Sequence, residues 1–157
     1  MTVVAPDVVE RLRGWILGVL VLGLVGTEAE LLLLAHYEDR LQLIPLLLIA
    51  AAIGTLAWTV KRRDTAGFRA FRTTMVLFVL AGFVGVALHF RGAAEFQLDL
   101  DPSIGRWDLV KKVMRVKDPP ILAPGVMLQL GLMGLAYAYG NPGAAASEGG
   151  TKKERSG

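Results

Sequence analysis

The chain has 157 residues, 54% of them hydrophobic and only 20% charged, with a mean hydropathy of +0.50 and a net charge of +3. That balance is too apolar for an ordinary soluble domain, and four apolar stretches of about 20 residues leave no room for a separate one. The basic residues sit beside those stretches, where they signal topology rather than nucleic-acid binding, and the lack of cysteine excludes disulfides, thiolate metal sites and iron–sulfur ligation.

The first predicted span covers 14–35. Arg11 and Arg13 precede it as in a signal peptide, but Gly26, Thr27, Glu28, Ala29 and Glu30 follow the apolar run in place of a cleavage site, so the expectation is a retained anchor. A polar turn, His36-Tyr37-Glu38-Asp39-Arg40, leads into a second span over 41–60, with Pro45 in its first turn where a missing N–H is harmless. The connection from Lys61 to Arg72 carries five basic residues and one acidic residue, and a third span follows over 73–90.

The longest connection, 91–118, is predicted in two parts. Alternation of Phe96, Leu98 and Leu100 with Glu95, Gln97, Asp99 and Asp101 reads as an extended strand. Past Pro102, an N-cap at Ser103 opens an amphipathic surface helix over about 103–117, with Trp107 as an interface anchor, which Pro119 and Pro120 end. The fourth span covers 121–139, and 141–157 reads as a disordered cytoplasmic tail. With both termini inside, ten Lys and Arg face the cytoplasm against seven outside, in line with the positive-inside rule. The fold class is therefore all-α, a four-helix transmembrane bundle with an interfacial helix between spans three and four.

Three polar residues fall at membrane depth. Glu28 and Glu30 lie in the first span, where a carboxylate costs at least ~2.5 kcal/mol, and two residues of helix separate them by about 200°, on nearly opposite faces. Gln129 in the fourth span sits at a depth matching Glu28, which suggests a hydrogen-bonded pair across a helix interface. Near the outer boundary, His36 and His89 are each flanked by carboxylates, and His36, Glu38, Asp39, His89 and Glu95 form a candidate site for a divalent transition metal. The plainer reading of an interfacial histidine is a solvated or capping group, and haem ligation by the two imidazoles is disfavoured. The glycines at 14, 18, 23, 26, 82, 85, 131 and 134 read as sites of close helix packing.

On the segments His36-Tyr37-Glu38-Asp39, Gln42, Pro45, Leu88-His89-Phe90-Arg91-Gly92 and Pro119 to Gly125, the chain resembles small bacterial four-span inner-membrane proteins without an assigned activity. The resemblance implies a four-span fold in a bacterial inner membrane, and no substrate or cofactor. No Ser/His/Asp set or nucleotide loop is present, so an enzyme is not expected. Three functions compete: an accessory or assembly subunit of a membrane complex, a metal-handling protein using the outer His/carboxylate cluster, and a small proton-coupled transporter acting as a dimer. The lipid bilayer is one expected partner, and a membrane protein or a second copy is another.

Overall fold

A computed structural model describes residues 6–35, 38–115 and 122–141. Every element among them is helical: α1 (Pro6–Leu33), α2 (Leu43–Arg62), α3 (Thr65–Leu100), α4 (Arg106–Met114) and α5 (Leu122–Ala138). Three of these, α1, α2 and α3, are long and apolar enough to cross a membrane, while the described apolar part of α5 is shorter. The chain divides into two compact units, Met1–Leu77 with Leu130–Gly157, and Phe78–Gln129, so α3 and α5 each contribute to both.

Helix α1 begins well before the predicted span. Its 28 residues extend about 42 Å at 1.5 Å per residue. Proline suits a first helical position, and an ion pair between Arg11 and Asp7 at 2.8 Å supports the extra turns. In the first unit α1 packs on α2. The inward stripe of α2 runs Leu46, Ile49, Ala52, Leu56 and Thr59, a spacing of three and four that keeps one face turned inward. Thr59 is fully buried, and its hydroxyl donates to the Thr55 carbonyl at 2.8 Å, which removes the cost of its burial. Phe71 of α3 meets Tyr137 of α5 edge to face, with centroids 6.1 Å apart. That contact contributes about 0.5–1.5 kcal/mol beyond burial.

The turn between α2 and α3 is tighter than the sequence suggested. Arg63 takes a left-handed conformation with φ 49° and donates its N–H to the Thr59 carbonyl, closing α2. One residue later, the Asp64 carboxylate accepts from the Gly67 N–H at 2.7 Å, satisfying an orphan donor at the start of α3. The other Asp64 oxygen accepts from the Trp58 indole at 3.3 Å. Helix α3 therefore starts at Thr65 rather than 73.

In the second unit α3 and α5 approach at two glycines. A Cβ placed on Gly82 would lie 2.9 Å from the Leu128 backbone nitrogen and 3.1 Å from the Pro124 carbonyl oxygen. One on Gly85 would lie 2.9 Å from the Pro124 side chain. Helix contact in lipid is driven by close packing rather than by expulsion of water, so these absent side chains are what permits the approach.

The strand predicted over 95–101 does not form: α3 continues as helix to Leu100, for 36 residues or about 54 Å. Once a span has paid the nucleation cost, each further residue adds a hydrogen bond, and Ala93, Ala94, Glu95, Gln97 and Leu98 are good helix formers. The Arg91 guanidinium also donates to Glu95 at 2.7 Å one turn on. Nor is Ser103 the N-cap of α4. That position is held by Gly105, and Ser103 instead donates its N–H and hydroxyl to the Asp101 carboxylate at 3.2 and 2.8 Å. Helix α4 is accordingly shorter than the predicted 103–117, and its predicted stop at Pro119 and Pro120 lies outside the described residues.

Candidate functional site

Helix α1 carries the polar residues that most need an explanation. Its inward stripe runs Leu20, Leu24, Glu28 and Leu31 at helical spacing, with Leu20 and Leu24 fully buried and Glu28 and Leu31 half-buried. Glu28 thus occupies a position where the pattern calls for an apolar residue. Its Oε2 is buried and has no hydrogen-bond partner among the described residues. Gln129, its expected partner, belongs to the second unit, where it is exposed. Glu30 lies on the opposite, exposed side of α1, as the 200° separation requires, and its side chain makes no hydrogen bond or ion pair among the described residues.

Around Glu30 that outer face is otherwise apolar or small. Trp15, Leu22 and Leu33 are 75%, 74% and 87% exposed. A Cβ added at Gly14, Gly18 or Gly26 would meet nothing within 4 Å. The packing role predicted for these three glycines is therefore not filled by any of the described residues. It is filled at Gly23, where a Cβ would lie 2.5 Å from Leu130 of α5, and at Gly134, where it would run into Met75 and lie 3.2 Å from Phe71.

The outer His/carboxylate cluster divides. His36 lies outside the described residues, Glu38 and Asp39 belong to the first unit, and His89 and Glu95 to the second. Among the described residues no group of three or more His, Cys, Asp or Glu could hold a metal ion. The local chemistry of the members also points elsewhere. Glu95 is engaged by Arg91, and His89 is exposed six residues earlier, about a third of a turn round the helix. Gln42 has a folding role: its Oε1 accepts from the backbone N–H groups of Glu38 and Asp39 at 3.0 and 3.1 Å and so shapes the turn into α2.

Two polar contacts escaped the sequence reading. Arg13, read as a topology signal, donates to the carbonyls of Tyr139 and Gly140 at 3.2 and 2.7 Å, placing a cation at the C-terminal end of α5. Asp64 is the cap described above. The signal for Asp64 was present, an Asp directly before Thr65-Ala66-Gly67, but it is masked by the basic residues on both sides. For Arg13 no local signal exists, because its partners are more than a hundred residues away.

Trp107 is 79% exposed on α4. The exposed apolar side of that helix consists of Trp107, Val110 and Met114, beside a packed side formed by the fully buried Val113 and half-buried Leu109. Lys111, Lys112, Arg115 and Asp108 occupy the remaining arc.

No family model matches the chain, and neither a curated protein nor a solved structure does.

Proposed function

We propose that the chain is a non-enzymatic accessory or assembly subunit of a membrane complex in a bacterial inner membrane. In this reading it is a four-span bundle, with α5 and the residues before it as the fourth span, α4 lying at the interface, and both termini cytoplasmic. The observation that carries the reading is the outer face of α1: Gly18 and Gly26 with open space over them and, on the same exposed side, a Glu30 carboxylate without a partner among the described residues. Open glycines invite a close helix approach, and an unpaired Glu30 near the lipid is costly unless a neighbour supplies a donor or a cation. A partner helix seated on α1 satisfies both.

The test is affinity purification from native membranes at native expression, comparing wild type with Gly18→Leu and Glu30→Leu. A membrane protein that co-purifies with wild type and is lost in both variants supports the proposal, and a monodisperse chain recovered alone counts against it. The buried, unpartnered Oε2 of Glu28 favours a second reading, a proton-coupled carrier working as a dimer, in which Glu28 takes up and releases the proton. Proteoliposome flux that is unchanged in Glu28→Gln removes that second reading.

A further inference from the structure

The second unit contains a feature that the proposed subunit role does not use. An open cleft of about 460 Å³ lies where α4 runs beside the end of α3, lined by Gln97, Asp108, Lys111, Lys112 and Arg115. Three cations against one carboxylate leave its lining at a net charge of +2. Those cations are only loosely committed. Lys111 approaches Asp108 at 3.4 Å and Lys112 approaches Asp101 at 4.0 Å, both pairs exposed, the regime in which an ion pair contributes little. The Arg115 guanidinium makes no ion pair or hydrogen bond among the described residues. The Gln97 amide adds a neutral donor at the same cleft.

We infer that this cleft binds a phosphate group, through Lys111, Lys112 and Arg115 with Gln97. The guanidinium fork offers paired N–H donors to two phosphate oxygens, and the two ammonium groups act as mobile point charges. Asp108 and the carbonyls at the end of α4 oppose an anion, so the site favours a phosphate with one negative charge over a more highly charged ligand. On the reading of α4 as an interfacial helix, which this part of the inference rests on, the phosphate is the headgroup of an anionic lipid. The exposed Trp107, Val110 and Met114 side then meets the acyl boundary while the neighbouring charged arc meets the headgroups.

The experiment uses the full-length purified chain in zwitterionic detergent, with Trp15→Phe and Trp58→Phe so that Trp107, one turn from Lys111, is the sole tryptophan and is excited selectively over the tyrosines. Short-chain phosphatidylglycerol, short-chain phosphatidylcholine and inorganic phosphate are titrated separately. The expected result is saturable binding of phosphatidylglycerol, no response to phosphatidylcholine, and an affinity roughly a hundredfold weaker in Lys111→Gln/Lys112→Gln/Arg115→Gln. A control with the same charge change, Lys61→Gln/Arg69→Gln/Arg72→Gln, retains wild-type affinity. Inorganic phosphate binding as tightly as the lipid keeps the anion site but assigns it to a soluble ligand. No saturable binding of either, or equal losses in the two triple variants, overturns the inference. Because the assay contains one purified chain, its outcome is independent of whether α1 has a partner.

Discussion

Gly82 and Gly85 of α3 and Gly14 and Gly18 of α1 follow the same kind of sequence pattern and end in opposite circumstances. At Gly82 and Gly85 the missing side chain is where α5 lies, with the Leu128 backbone within 2.9 Å of an added Cβ, whereas at Gly14 and Gly18 an added Cβ meets open space. The acids divide the same way. Asp64 is held by the Gly67 N–H and the Trp58 indole, while Glu30 has no partner among the described residues. Contacts that the chain completes by itself serve its fold, and those left open on one face of α1 are the ones the proposed partner would fill.

The contrast can be broken at each level. The largest effect is expected at the glycines: Gly82→Ala forces a backbone contact apart and lowers stability by about 1–3 kcal/mol, whereas Gly18→Ala leaves it at or above wild type. Thermal unfolding in mild detergent reads both, and equal losses would remove the distinction between filled and open glycines. Next come the acids. Asp64→Ala loses a helix cap and is expected to cost about 1 kcal/mol, while Glu30→Gln in the isolated chain costs nothing measurable. The smallest effect is the pH response of the turn before α4. Hydrogen bonds from Ser103, and to a lesser degree the nearby positive charge of Lys112, hold the Asp101 carboxyl below its ordinary value. Because the folded form lowers that pKa, the contribution is present above the usual carboxylate range and is lost as pH falls through the lowered value. The protection of the Ser103 amide against exchange, taken relative to its intrinsic rate at each pH, should fall on acidification in wild type and be low at every pH in Asp101→Asn.

Much of this was legible in the sequence. Three long apolar helices follow from uninterrupted apolar runs, and the opposite placement of Glu28 and Glu30 follows from helical geometry alone. What failed had local causes. The alternation over 95–101 spans too few residues to outweigh a helix already propagating from the preceding span, and Ser103 competed for the N-cap of α4 with a turn that Asp101 organises more strongly. The glycines were recognised as packing residues, but their sorting into filled and open sets depends on helix rotation, which periodicity does not fix. The outer His/carboxylate cluster was drawn from depth alone. Its His36 lies outside the described residues, and Arg91 and Gln42 bind within their own segments.

The most direct test of the open α1 face is site-specific photo-crosslinking in native membranes, with the reactive group at Leu22 on α1 or at the similarly exposed Leu80 on α3. The account predicts a discrete adduct to another membrane protein from Leu22 and only lipid adducts from Leu80. Lipid adducts alone at both positions would contradict it.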